Sequence, residues 1–262
     1  MKNVDKVHVH RYDAHAWSMI NESIATESLV HLRVNGEKIS SLLASPEHMD
    51  DLVIGHLATE YGLEHQSQDT VIQSLDDDEL VADLHTGRTV QIEQRTSIVT
   101  SSCGACDQSN LASLIQQMPS VDSPDGTVNL DEIIQALYEM RTHQEGFKET
   151  GGMHAAGLFI GNGTSLLVRE DIGRHNAVDK VYGCWSRNGS KPPLALLLSG
   201  RCGWDIVAKA ASMGTSIIAS FGAASSLAAD AARWANITLV SFVRDGKAVV
   251  IGPVDGRFER KH

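Results

Sequence analysis

The sequence predicts a two-lobe protein of α/β and α+β class, with a smaller N-terminal α+β lobe and a larger α/β lobe. Three observations predict it. A β-hairpin signal and an adjoining helix signal fall within the first hundred residues. A stretch rich in Pro, Ser, Asp and Gly lies between Pro119 and Gly126, as a connection between lobes would. From Gly151 onward, short apolar runs alternate with helical stretches, the succession that builds a sheet with helices on its faces. These place the lobes at residues 1–126 and 127–262.

The hairpin signal is Leu29-Val30-His31-Leu32-Arg33-Val34, a turn at Asn35-Gly36, and Lys38-Ile39-Ser40-Ser41-Leu42-Leu43. Ser45-Pro46-Glu47-His48 then reads as a helix start, with Ser45 as N-cap, Pro46 in the first helical position, and Leu52, Val53, His56 and Leu57 at helical spacing. Strands around Glu79 to Asp83 and Thr89 to Glu93 flank the turn His85-Thr86-Gly87. A β-prone run at residues 96–100 leads toward a helix containing Leu111, Leu114 and Ile115. Leu130, Ile133, Ile134, Leu137 and Met140 mark an amphipathic helix. Beyond it, strands are expected over 155–160, 165–170, 194–199, 216–220, 237–242 and 248–251, and helices over 174–185, 204–213 and 225–235. That order predicts a largely parallel sheet.

Composition excludes several classes. At 262 residues and 42% hydrophobic, the chain can bury a core in each lobe. Apolar runs such as Leu194-Ala195-Leu196-Leu197-Leu198 fall far short of the roughly 20 residues that cross a bilayer, so no membrane association is expected. Lys2, Asp5, Lys6, His8, His10 and Arg11 leave no apolar leader core, and cytoplasmic residence is the expectation. A net charge of −11 argues against nucleic acid. Between Arg169 and Lys209, however, seven basic residues stand against four acidic ones. A solvated helix face and a receptor for an anionic small ligand both fit that local excess.

Four cysteines are too few for a disulfide framework, and only Cys103 and Cys106 are close in sequence, within Ser101-Ser102-Cys103-Gly104-Ala105-Cys106. A position between a strand and a helix N-terminus favours a thiolate. Zinc needs a second pair, which Cys184 and Cys202 do not form. A thiol-disulfide exchanger would place the motif in an early βαβ unit, unlike residues 1–95. The third reading is a persulfide carrier, and spacing alone does not rank it against the exchanger. Two further stretches are dense in small and ionisable residues: Gly151-Gly152-Met153-His154-Ala155-Ala156-Gly157, and the run from Arg169 to Lys180 containing Gly173, Arg174 and His175. With Ser199-Gly200-Arg201, they have the strand-turn-helix form that binds anions at sheet edges; an N-cap with surface ion pairs would look the same.

Taken together in this order, Ser-Ser-Cys-Gly-Ala-Cys, Gly-Gly-Met-His-Ala-Ala, Arg-Glu-Asp-Ile-Gly-Arg-His-Asn-Ala-Val-Asp-Lys, Ser-Gly-Arg and residues 238–246 resemble the formate dehydrogenase accessory sulfurtransferases of the FdhD/NarQ type. The similarity runs from about Glu27 to Gly252, and the twelve residues from 169 to 180 are its most specific part. The resemblance implies a larger lobe like the three-layer α/β/α cytidine deaminase fold. It also implies a sulfur carrier that takes sulfur from a cysteine desulfurase as a persulfide and passes it to the molybdenum cofactor, a bis-molybdopterin guanine dinucleotide, before that cofactor enters formate dehydrogenase. On that likeness Cys103 bears the persulfide and Cys106 is its partner. The pterin ligand contacts Phe242, Val243, Arg244, Asp245, Gly246 and Lys247, with His154, Arg174, His175 and Arg201 as further cofactor-binding residues. No structural metal is expected, and a homodimer is. Asp107 stands where members often carry Gly, and a carboxylate beside Cys106 opposes its ionisation, so Cys103 is the better thiolate. Cys202-Gly203-Trp204-Asp205 is less hydroxylated and acidic than usual there, and Phe221-Gly222-Ala223-Ala224-Ser225 lacks a common proline. Deaminase chemistry is disfavoured, because Ala155 and Ala156 follow His154 and no Glu or Pro-Cys-x-x-Cys appears. A cofactor-binding chaperone that moves no sulfur and a thiol-disulfide oxidoreductase are the remaining rivals.

Overall fold

A computed structural model of the chain describes residues 3–90, 115–124, 126–161, 166–188 and 192–259. Cys103, Cys106 and most of the helix expected over 111–115 lie outside the described residues. The chain opens on β1 (Val4–Asp13) and β2 (Ala16–Ala25), an antiparallel ribbon turned by Ala14 and His15, both at positive φ. No turn signal in the sequence marks this ribbon: Ala14 and His15 take positive φ where Gly, Asn or Asp would be expected.

β3 (Ser28–Val34) and β4 (Glu37–Ala44) form the expected hairpin, with Asn35 at φ 51° and Gly36 at φ 84°. β5 (Thr70–Asp76) and β6 (Glu79–His85) complete a four-stranded sheet of order β4-β3-β6-β5. The partner of β6 is therefore upstream of it and not at 89–93: residues 89 and 90 are not strand, and 91–93 lie outside the described residues. The connecting turn is Asp77-Asp78, both at positive φ, which the acidic run 76–79 disguises as loop. Helix α1 (Met49–Tyr61) covers one face of this sheet, and Val30, Leu32, Leu52, Leu57 and Ala82 are wholly buried between them.

Helix α1 starts at Met49 rather than behind Ser45, with His48 in a left-handed N-cap conformation. Ser45 is occupied elsewhere. Its backbone N–H donates to Asp171 Oδ2 (3.0 Å), its Oγ accepts from the Ile172 N–H (3.0 Å), and its carbonyl accepts from Lys180 Nζ (2.8 Å). A tertiary demand has overridden the local capping preference.

The larger sheet comprises β7 (His154–Phe159), β8 (Leu166–Asp171), β9 (Ala195–Leu198), β10 (Ile217–Ser220), β11 (Thr238–Arg244) and β12 (Lys247–Ile251), in the order β12-β11-β10-β9-β7-β8. It is mixed, correcting the largely parallel sheet expected. Only β9, β10 and β11 run parallel; β12, β7 and β8 pair antiparallel to their neighbours. The links from β7 to β8 and from β11 to β12 are too short for the crossover that parallel strands require.

On one face lie α4 (Arg174–Asn188), α5 (Trp204–Ser212) and α6 (Ser226–Trp234), packed on Leu158, Leu196, Leu198, Ile218 and Leu239. On the other, α2 (Leu130–Met140) buries Ile133, Leu137 and Met140 against Leu197, Ile217 and Val240, and α3 (Glu145–Thr150) follows it. Each fully buried side chain of this size contributes about 2 kcal/mol. Asn129 caps α2 through Asp131 N, and Ser225 caps α6 through Ala228 N. Residues 119–124 lie against this lobe, where Val121 enters its core and its N–H donates to Ala235 O (2.9 Å). No helix among the described residues is long and apolar enough to cross a membrane.

The two sheets meet where α1 crosses α4. A Cβ on Gly55 would sit 1.7 Å from Asp179 O, and one on Gly183 would sit 1.9 Å from Asp51 O, so the helices touch backbone to backbone. Around that contact lies a buried polar seam. Asp179 accepts from Thr59 Oγ1 (2.7 Å) and Lys209 Nζ (2.7 Å) and meets His56 Nδ1 (3.0 Å). Lys209 also reaches Glu60 (2.5 Å), Lys180 pairs with Asp171 (2.6 Å), and Arg169 and Arg187 converge on Asp51 (2.8 and 3.0 Å). Burial works against the Asp179 carboxylate, but the Lys209 charge and the His56 hydrogen bond outweigh it and hold its pKa well below the usual range.

Two outcomes follow from this seam. Gly55→Ala should cost about 3 kcal/mol or more, since neither backbone can move without separating the lobes; urea denaturation measures it, and an unchanged midpoint would show that the helices are not in contact. Because the Asp179 pKa is depressed in the fold, its contribution is fully present above its unfolded value near pH 4 and is lost as pH falls through the folded value. The unfolding midpoint of the wild type should therefore drop more steeply below about pH 4 than that of Asp179→Asn, which starts lower at neutral pH.

Candidate functional site

The three parallel strands end at the same edge of the large sheet, and the antiparallel β7 begins there. Pairing of Ala156 with Leu198 and of His154 with Asp171 sets the level. The Ala155 N–H donates to Ser199 Oγ (2.8 Å), and the Ser199 N–H donates to Ala155 O (3.0 Å). Ligands of open α/β sheets bind outside such carboxyl ends. The loops are held to one another by main chain. Cys202 bridges Ala224, its N–H donates to Ala223 O (3.0 Å), and the Phe242 N–H donates to Gly222 O (3.1 Å). Gly222 lies so close to the next loop that a Cβ there would be 2.6 Å from Gly200 O.

His154, Arg174, His175 and Arg201, singled out in the sequence, are brought together at this edge. The half-buried His154 imidazole is pushed below its ordinary pKa by burial and then by the charges of Arg174, His175 and Arg201, with Asp171 opposing. His175 Nε2 contacts Asp205 Oδ2, and Arg174 Nη2 lies 3.8 Å from the same oxygen. Burial opposes ionisation of Asp205, but His175, the Ile206 N–H and Arg174 hold its pKa low. Among the described residues, Arg201 makes no ion pair.

The remaining predicted residues divide. Phe242 adjoins the cluster through Gly222 and is 55% exposed at φ 54°, a left-handed conformation that is unusual for an aromatic residue and falls at the bulge between Ser241 and Arg244. Val243 points the other way, 2% exposed in the α2-side core. Asp245 and Gly246, both at positive φ, turn the hairpin, where Arg244 and Lys247 face each other across the strands. No hydrogen bond or ion pair joins this tip to the cluster among the described residues. The most specific run in the sequence also divides. Arg169, Asp171, Asn176, Asp179 and Lys180 serve the seam, Glu170 accepts from the Gly146 and Phe147 N–H groups at the start of α3, and only Arg174 and His175 reach the site.

Beside His154, Ser199 and Gly200 opens a pocket of about 630 Å³, walled on its far side by Arg141, Gln144, Phe147, Lys148 and Phe221. Arg141 lies over the Phe221 ring, 3.8 Å from its centroid, and Tyr138 meets the ring edge on. Sequence reasoning missed Arg141, Phe221 and Asp205 as site residues; Arg141 follows an amphipathic helix as any surface arginine might, so no local signal marks it. Cys202 borders the site, but burial and then Asp205 push its thiol up to about 12. Burial also raises Cys184. Neither is a ready nucleophile at neutral pH.

Comparison with known proteins gives a consistent result. The profile of the FdhD/NarQ family matches residues 25–253. Proteins named sulfur carrier protein FdhD match from Nocardia farcinica (35% identical, 85% of this chain and 84% of that one), Shewanella oneidensis (33%, 89% and 85%) and Thermoplasma volcanium (33%, 89% and 88%). Among solved structures, one assigned as a formate dehydrogenase accessory protein from Desulfotalea psychrophila superposes with a TM-score of 0.76, covering 98% of this chain and all of that one at 20% identity. It shows the same mixed α/β fold.

The strain at Phe242 is testable. Phe242→Asn, which tolerates a left-handed backbone, should leave stability unchanged or raise it by up to about 1 kcal/mol in urea denaturation. A loss larger than that would mean the ring packs on the fold rather than facing the site.

Proposed function

We infer function from a single premise: this chain belongs to the FdhD/NarQ family. We propose that it is a sulfur carrier acting as an accessory protein to formate dehydrogenase, as its relatives' names describe them, and that the cargo is sulfur held on Cys103 as a persulfide. The Cys103 thiolate attacks the outer sulfur of a persulfide on a cysteine desulfurase, and the donor cysteine leaves as a thiolate. Attack by Cys106 on Cys103 Sγ then forms a disulfide and releases the outer sulfur as hydrosulfide, reduced by two electrons, for the molybdenum of the cofactor; an external dithiol returns the pair to thiols. Cys103 carries the sulfur because Asp107 adjoins Cys106, and because Cys184 and Cys202 are both buried and raised in pKa.

The substrate is a bis-molybdopterin guanine dinucleotide, a polyanion. The carboxyl edge of the large sheet suits one: Arg174, Arg201, His154 and His175 gather there, and Arg141 and Arg201 have no carboxylate partner among the described residues. Phosphoryl oxygens would be held by these arginines and imidazole N–H groups, with Phe242 and the hairpin tip from Arg244 to Lys247 beside them. The sulfurated cofactor then passes to formate dehydrogenase, in the cytoplasm, from a homodimer of this chain. The observation that carries the reading is this cluster of arginines and histidines, in which Arg141 and Arg201 have no carboxylate partner among the described residues, together with two structurally described cysteines that are both unsuited to carry sulfur.

Incubation with a cysteine desulfurase and cysteine should add about 32 Da to the intact chain, one sulfur atom. The adduct should vanish in Cys103→Ala and accumulate in Cys106→Ala, which cannot release it. A wild-type chain that never gains mass sinks sulfur transfer, and if it still binds the cofactor it is a chaperone.

A further inference from the structure

Asp205 is an acidic member of a basic edge. The cluster at the sheet edge is otherwise built of arginines and histidines, and the described carboxylate nearest in role, Asp171, is wholly buried and committed to Lys180, Ser45 and the Gly173 N–H. Asp205 by contrast is partly exposed, at the start of α5, beside Arg174 and His175. An ordinary role as helix cap does not explain it. The N-cap of α5 is Gly203, whose amide the carboxylate does not engage, and among the described residues the one backbone donor Asp205 takes is Ile206 N (3.0 Å). A Cβ on residue 203 would lie 2.3 Å from Asp205 Oδ1, so a larger residue there would displace the carboxylate from its present position. For an anionic ligand, an extra carboxylate should be a handicap.

We propose that Asp205 is a positioning residue that fixes the His175 ring through Nε2–H, so that the ring, protonated when the polyanion binds, presents Nδ1–H as a donor to phosphoryl oxygens of the substrate alongside Arg174 and Arg201. The inference rests on the reading of this edge as a polyanion site. His175 Nδ1 has no partner among the described residues and is not among the buried polar atoms lacking one, so it is open to solvent. With Nε2–H donated to the carboxylate, the ring cannot flip without losing a charge-assisted hydrogen bond, and Nδ1 stays on the ligand side. Arg174, 3.8 Å from the same Oδ2, shares the anchor and is partly exposed.

The sign of one mutational effect separates this from simple electrostatics. Inorganic pyrophosphate is the probe, titrated calorimetrically into the full chain. Removing a negative charge by Asp205→Asn should tighten pyrophosphate binding if the carboxylate is only a neighbour; a positioning role requires that it weaken, by about tenfold. In a His175→Ala background, the same substitution should no longer weaken binding, because the ring it orients is gone. Equal or tighter binding by Asp205→Asn, or an identical loss in both backgrounds, overturns the proposal and leaves the anion site intact. Wild-type protein that does not bind pyrophosphate overturns both. Should Asp205→Asn fail to fold, nitrogen-15 NMR of wild-type His175 at alkaline pH, where imidazoles are neutral, decides: the Nε2–H tautomer is expected, and the Nδ1–H tautomer overturns the proposal.

Discussion

The architecture depends on the contact of α1 with α4 at Gly55 and Gly183. Helices normally cross about 8–10 Å apart, separated by side chains. Here the space a methyl group would need is occupied by the carbonyl oxygens of Asp179 and Asp51. That approach brings two otherwise separate sheets together and creates the dry volume in which Asp179, Lys209, Lys180 and Asp171 are paired. Buried ion pairs contribute little net stability, since desolvation offsets most of the attraction. Their effect is to make the crossing unique: shift α4 along α1 and several charges lose their partners together. The glycines permit the contact, and the charges fix its register.

That register reaches the site because α4 begins there. Arg174 and His175 occupy its first turn, while Asn176, Asp179, Lys180 and Gly183 follow at helical spacing along the face turned to α1. One helix thus presents ligand-facing groups at its N-terminal end and lobe-locking groups along its side. The twelve-residue run that most clearly identifies the family owes most of its specificity to the second duty. Density of ionisable residues in a sequence is equally a mark of a polar seam and of a binding site, and only burial distinguishes them: Lys180 and Asp179 are wholly enclosed, whereas Arg174 and His175 keep access to solvent.

Legibility followed the range of the interaction that set each feature. The six strands of the large sheet and the three helices after residue 170 were readable, because apolar runs such as Ala195-Leu196-Leu197-Leu198 must be buried on both faces wherever they go. The Asn35-Gly36 turn was readable for the same local reason. Pairing was not. Whether β7 and β8 run with or against their neighbours depends on connection length and edge position, and the β5 partner of β6 hid behind an acidic turn. Ser45 shows the opposite failure, a sound local signal overruled by three long-range hydrogen bonds. At the site, His154, Arg174, His175 and Arg201 were visible as chemistry but not as neighbours. Arg141 and Phe221 were invisible, because their pairing joins the end of α2 to the end of β10 across eighty residues of chain.

The cysteines show why a carrier needs this separation of roles. A thiol beside the cationic edge would seem well placed to be ionised, and Cys202 stands there. Yet it is 1% exposed, and Asp205 faces it, so burial and a like charge keep it protonated. A reactive thiolate fixed at this edge would itself pair with the arginines there and could not serve the proposed anionic ligand. The fold therefore holds its site cysteine inert, which is why the proposed exchange is assigned to Cys103 and Cys106 instead. Asp205 contributes twice to that arrangement, suppressing the thiol behind it and orienting the imidazole in front.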